Sequence, residues 1–202
     1  MIMQHADPIM DVEFSPDGEK VASISQSEVR IWSVQDGGLL YLLERYPNEE
    51  VPSEIAFTPD GNLLSDGAQV WNLIDGTHIR TLGEGSKRLT VAFSPDGTLV
   101  AVNGEDTEVE LWKVSDGLLV RTFGEKKQWT RDVAFSLDGR ILASIPLSRT
   151  SIQVWRVSDG TLLRTIEIPM RVSSMVFLPN GALVLGVPDG RVILWDVNIG
   201  GN

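Results

Sequence analysis

With 202 residues, of which 42% are apolar, the chain can bury a sizeable core, and a single domain is expected across residues 1–202. A formal net charge of −11 argues against a nucleic-acid binder, which needs a basic footprint, and the absence of cysteine excludes disulfides and thiolate zinc sites. The opening residues have no basic stretch followed by a long apolar one, and no run approaches the ~18 apolar residues of a membrane span, so a soluble, cytoplasmic protein that binds neither nucleic acid nor membrane is expected.

Taken in chain order, one unit recurs. Met1 to Gln4 reads as a short extended stretch. The turn Phe14-Ser15-Pro16-Asp17-Gly18 follows, then the apolar run Val29-Arg30-Ile31-Trp32 and a second turn at Asp36-Gly37. The same order returns with Phe57-Thr58-Pro59-Asp60-Gly61 and Trp71, with Phe93-Ser94-Pro95-Asp96-Gly97 and Trp112, with Phe135-Ser136-Leu137-Asp138-Gly139 and Trp155, and with Phe177-Leu178-Pro179-Asn180-Gly181 and Trp195. A period of about 40 residues marks one supersecondary unit copied along the chain. Within a copy, short β-rich runs alternate with Asp-Gly and Pro-Asp turns, which predicts a four-stranded antiparallel meander, and no window shows sustained helical periodicity. Five copies in unchanged order favour a radial array, an all-β propeller, over a sandwich. The blades are expected at about residues 6–43, 51–83, 88–124, 129–167 and 172–202, with residues 1–5 completing the last one. The second copy is short between Phe57 and Trp71, so Leu63 to Ala68 must form a trimmed hairpin.

The run Val91-Ala92-Phe93-Ser94-Pro95-Asp96-Gly97, followed by Val109-Glu110-Leu111-Trp112 and the Asp116-Gly117 to Arg121-Thr122 tail, closely resembles the WD40 repeat in its bacterial style. The resemblance covers about residues 2 to 198, and the Arg-Thr tail recurs at Arg80-Thr81 and Arg164-Thr165. It implies that the third-strand tryptophans Trp32, Trp71, Trp112, Trp155 and Trp195 are structural. It also implies, for each blade, a hydrogen-bonded set of a His, a strand Ser or Thr, the Trp and a turn Asp. His5 has the family spacing to Phe14 and, with Trp32 and Ser23 or Ser25, makes a partial set without the Asp; Asp189 fits the turn Asp of the last copy but has no His partner. Packing of the tryptophans is therefore expected to outweigh that polar set. WD rings usually close by giving the N-terminal strand to the last blade. Such closure and an incomplete arc are both open here, and an arc would expose apolar blade faces that invite self-association.

Little in the chain speaks for catalysis. His5 and His78 are the only histidines, and the aspartates sit mainly in turns. No cofactor, metal or catalytic residue is expected, and the chain is not expected to be an enzyme. Glu13 stands where Ala56, Ala92, Ala134 and Val176 stand in the other copies, and is expected to reach water in the central channel. The reading is a scaffold for a protein or peptide partner, bound on the face of the fourth-to-first-strand loops. Trp129, Arg131, Arg171 and Arg88 are the leading candidates on that face, with Arg149 and Tyr46 beside them, for an acidic protein segment. The alternatives are an enzyme or small-ligand domain using the channel, and a fragment of a longer WD40 array.

Overall fold

The computed structural model describes residues 2–45, 54–83, 90–104, 109–124, 129–147 and 150–197. Nineteen strands follow one another with no helix among the described residues, and so none that is long and apolar enough to cross a membrane. The first blade is β1 (Ile9–Phe14), β2 (Lys20–Ser25), β3 (Glu28–Ser33) and β4 (Leu39–Glu44). The second is β5 (Ala56–Phe57), β6 (Leu63–Ser65), β7 (Gln69–Asn72) and β8 (His78–Thr81), and the third β9 (Val91–Phe93), β10 (Leu99–Asn103), β11 (Val109–Lys113) and β12 (Leu119–Phe123). The fourth is β13 (Thr130–Phe135), β14 (Ile141–Pro146), β15 (Ser151–Arg156) and β16 (Leu162–Glu167); the fifth is β17 (Ser174–Phe177), β18 (Leu183–Gly186) and β19 (Val192–Trp195). Each is an antiparallel meander, four of four strands and the fifth, among the described residues, of three, and together they form a five-bladed β-propeller.

The recurring turn is built by its own side chains. In the first copy Asp17 Oδ1 accepts from Ser15 Oγ and from the backbone N–H of Glu19, while Ser15 Oγ accepts from Lys20 N. Gly18 closes the turn at φ 71°, in the left-handed region that side chains rarely adopt. The proline of each turn packs toward the next blade: a Cβ placed on Gly61, Gly97 or Gly139 would lie 3.4–3.6 Å from Cδ of Pro16, Pro59 or Pro95. Leu137 breaks this series, and a Cβ at Gly181 would meet nothing.

The cores lie between blades. Ala22, Ile24, Val29 and Ile31 of the first blade pack on Ile55, Phe57 and Leu64 of the second, and equivalent layers join the second to the third, the third to the fourth and the fourth to the fifth. No such cluster joins the fifth blade to the first among the described residues. Phe57, Phe135 and Phe177 are 7%, 8% and 6% exposed, whereas Phe14, at the same position of the first blade, is 62% exposed. The junction between blades five and one is therefore unsealed.

Closure by the N-terminal strand is not what the chain adopts. Residues 2–8 carry no strand and lie against the first blade. His5 Nε2 hydrogen-bonds Ser23 Oγ at 2.6 Å, Trp32 Nε1 donates to the same oxygen at 2.8 Å, and Arg30 Nη1 donates to the Gln4 carbonyl at 2.7 Å. These bonds hold the N-terminal segment on the blade that follows it in sequence. The set also has a fourth member that the sequence reading left vacant: His5 Nδ1 lies 3.3 Å from Glu28 Oε1, so a strand glutamate stands in for the turn aspartate. In the fourth blade Trp155 Nε1 donates to Ser144 Oγ, and in the third Trp112 Nε1 donates to Glu110 Oε2, so polar anchoring of the tryptophans is commoner than expected. Asp189 instead accepts from Arg191, both backbone and guanidinium, in an exposed hairpin turn.

Polar latches join the blades near their rims. Tyr41 Oη donates to the Ile74 carbonyl, Arg80 Nη2 to Ser115, Arg121 Nη1 and Nη2 to Asp159 and Ser158, and Arg164 Nη1 to Val197. The arginine of the Arg-Thr tail is thus an interblade tie. The trimmed hairpin of the second blade adds a buried ion pair: Asp66 accepts from Ala68 N and Gln69 N and lies 3.1 Å from Arg45 Nε, with both side chains almost fully buried. Burial pushes the Asp66 carboxyl up, and the Gln69 N–H, Arg45 and the Ala68 N–H pull it back. Arg45→Met leaves that carboxylate without its cation and is expected to destabilise the fold by about 3 kcal/mol, read from the urea midpoint.

Candidate interaction face and channel mouth

The first strands β1, β5, β9, β13 and β17 pack one on the next and form the inner wall of the propeller. Because the blades are meanders, the Phe-x-Pro-Asp-Gly turns and the Asp-Gly turns share one face. The loops entering the first strands and the hairpins between second and third strands share the other. Three residues before each turn phenylalanine, at the mouth of the channel on that second face, the chain places Asp11, Glu54, Thr90, Asp132 and Ser174, a polar side chain in every copy.

These side chains bind across blades. Asp11 Oδ2 accepts from Ile55 N at 3.0 Å and Asp132 Oδ2 from Met175 N at 2.8 Å, each reaching the N–H two residues before the phenylalanine of the next blade. A bulge in the β1–β2 and β13–β14 ladders, at Met10 and Arg131, precedes each aspartate. One extra residue kinks the strand there and turns the following side chain toward its neighbour. Glu13 makes the equivalent bond one step deeper, its Oε2 accepting from Phe57 N at 3.1 Å. Beyond the expectation that Glu13 reaches channel water, one of its carboxylate oxygens satisfies a backbone donor of the next blade.

Burial controls the electrostatics. It pushes the Glu13 carboxyl up to about 7, opposed by the Phe57 N–H and reinforced by Asp11 and Glu54. Glu54 is also pushed up to about 7 by burial and then by Asp132, with the Thr90 hydroxyl and Arg131 acting in the opposite sense. Asp132 rises to about 6 through burial, partly offset by the N–H groups of Met175 and Val133. Arg131 thus serves as a countercharge to the mouth carboxylates, a role its neighbours Glu54 and Asp132 define. Among the described residues no group of three His, Asp or Glu side chains is placed to hold a metal ion.

Trp129, 38% exposed, stands just before β13 on the same face, and its carbonyl accepts from Leu147 N at the tip of the β14–β15 hairpin. Arg171 is exposed in the loop between β16 and β17. Tyr46, Arg88 and Arg149 lie outside the described residues. His78 is exposed on β8, edge-on to Trp71 with ring centroids 6.4 Å apart. Sequence reasoning singled out Glu13 but missed Asp11 and Asp132 as partners of the next blade. The signal was the shared Asp-Val pair before the turn phenylalanine in copies one and four.

A family model described as "WD domain, G-beta repeat" matches residues 1–33, 76–113 and 158–196, together more than half of the chain. A periodic tryptophan protein 2 homolog of Neurospora crassa is 36% identical over 110 residues, covering 50% of this chain and 12% of that protein. An uncharacterised WD repeat-containing protein of Synechocystis is 30% identical over 138 residues (65% and 39%), and nuclear distribution protein nudF 1 of Talaromyces marneffei is 30% identical over 143 residues (67% and 31%). The chain therefore spans well under half the length of these relatives.

The raised carboxyls have a signed consequence. A group with its folded pKa above its unfolded value contributes stability that is full below the unfolded pKa and lost as pH rises through the folded one. For Glu13 and Glu54 the window runs from 4.5 to about 7. His5, whose pKa burial lowers from 6.5, acts in the opposite sense, so the effect is read as a difference between proteins. Glu13→Gln is expected to gain stability relative to wild type as pH rises across that window, measured by urea unfolding at several pH values.

Proposed function

Because this chain belongs to the WD40 repeat family, we propose that it is a non-catalytic scaffold that binds a protein or peptide on the face bearing the channel mouth. The observation that carries this reading is the exposed Trp129 at the entry to β13, with Arg131 next to it at the bulge and Arg171 in the loop before β17. A large aromatic beside guanidinium groups is the residue chemistry of interface anchors. It favours an acidic segment, with Arg88 and Arg149 as further cationic contacts. The channel carboxylates fit a structural role, since Asp11, Glu13 and Asp132 each spend an oxygen on a backbone N–H of the neighbouring blade. That commitment argues against their use as a general acid or base.

Among the relatives, one is named a nuclear distribution protein and one a transcriptional corepressor. For this chain the proposal extends to binding a protein partner and to a cytoplasmic setting without nucleic acid or membrane. Trp129→Ala and Arg171→Glu are each expected to weaken binding of the partner that copurifies with the full chain by about tenfold, with the thermal midpoint unchanged. Calorimetric titration checks this, and an unaltered affinity in both variants removes that face from the reading.

A further inference from the structure

The channel mouth and the exposed rim share one residue. Arg131 stands two residues after Trp129, at the bulge of β13, and Asp132 follows it. Among the described residues, the charged groups that bear on Glu54 are Asp11 and Glu13 of β1 and Arg131 and Asp132 of β13. A single cation thus stands among these carboxylates, beside the tryptophan to which the proposed function assigns an acidic segment.

The backbone decides which carboxylate is held least well. Asp11 accepts from the N–H of the residue after it, Val12, at 2.8 Å, and takes Ile55 N with its other oxygen. Asp132 takes the N–H groups of Met175 and Val133 in the same manner. Glu54 occupies the same place in its copy, but the N–H after it is that of Ile55, already given to Asp11. That bond also brings the Asp11 carboxylate against the segment carrying Glu54, and Glu13 follows at Phe57 N. Beside Glu54 stands only the neutral hydroxyl of Thr90 as a polar counterweight from the third blade. A carboxylate set among like charges without a backbone donor is the one that takes up a proton most readily. Burial, and then Asp132, push the Glu54 carboxyl up to about 7, so this proton exchanges near neutrality. Glu13 titrates in the same range but holds the Phe57 N–H one step deeper.

We propose that the Trp129 face binds its acidic segment together with a proton, which Glu54 takes up as the segment draws Arg131 away from the mouth carboxylates. This inference rests on the proposed function and adds its regulation. The segment brings negative charge toward Glu54 and withdraws the countercharge that favours its ionised form. Both changes favour the neutral carboxyl. By linkage, the bound state then holds more protons than the free one. Affinity is highest below the free-state pKa of Glu54 and falls as pH rises through it, so the face releases its partner as the medium turns alkaline.

The test titrates the full chain with a synthetic octaglutamate peptide at fixed ionic strength, since the peptide stays ionised between about pH 6 and about pH 8. Wild type is expected to bind about fivefold more tightly at the lower pH than at the higher. Proton uptake is read near neutrality from the change of binding heat with the ionisation enthalpy of the buffer. Glu54→Gln is expected to bind at the higher pH as tightly as wild type does at the lower, with a flattened profile and less proton uptake. Arg171→Glu is expected to weaken binding at both pH values and to keep their ratio. If Glu54→Gln does not fold, the wild-type proton uptake decides alone, and its absence overturns the proposal. The proposal is also overturned, with the Trp129 face intact, if Trp129→Ala and Arg171→Glu weaken binding while Glu54→Gln keeps the wild-type pH ratio. If the peptide does not bind, or neither Trp129→Ala nor Arg171→Glu alters its affinity, the face itself fails and the proposal falls with it.

Discussion

Everything in this molecule depends on one blade burying the face of the blade before it. A lone four-stranded meander has two faces and can give only one of them a partner, so its apolar residues find a dry environment only by stacking. The phenylalanine of the recurring turn makes the point: it is buried at Phe57, Phe135 and Phe177, where a preceding blade exists, and open to solvent at Phe14. The same residue in the same local structure thus has two fates, set by its neighbour. The polar contacts follow the same rule. The turn proline approaches the glycine of the next turn, the fourth-strand arginine reaches the carbonyls of the next Asp-Gly turn, and the mouth aspartates take the next inner strand's N–H groups.

This dependence explains why carboxylates line the inner strands of an acidic protein. Inner strands leave some N–H groups facing the neighbouring blade, and a buried donor without an acceptor is costly. Asp11, Glu13 and Asp132 supply those acceptors, and burial raises the pKa values of Glu13 and Asp132. Arg131, singled out from sequence as a partner-binding residue, offsets part of that charge. Its place at a bulge beside Trp129 lets one residue serve the channel mouth and border the exposed rim.

Much of this was legible beforehand because the turn chemistry is local. Phe-x-Pro-Asp-Gly specifies its turn through an Asp side chain and a left-handed Gly, and the repeat of turn and tryptophan counts the blades. The trimmed hairpin of the second blade was also readable from its length, although the Arg45–Asp66 pair that it buries was not, because those residues belong to different blades. His5 was placed correctly with Ser23 and Trp32 from spacing, whereas Glu28 was missed because a strand glutamate does the work of a turn aspartate. Asp189 had the right spacing for that work and goes to Arg191 instead, since a hairpin neighbour is nearer than any histidine.

By itself the sequence determined the unit: all-β, antiparallel, punctuated by Asp-Gly turns, five times over, with a tryptophan on each third strand. Those features are set by contacts within a few residues and need no partner to be recognised. The tertiary structure decided what the ends and the inner wall do. It kept the N-terminal segment on the first blade, gave the fifth blade three strands among the described residues, and set one Glu13 oxygen on the Phe57 N–H. Each of those outcomes depends on which blade stands beside which, and that adjacency is a property of the packed array that no single repeat encodes.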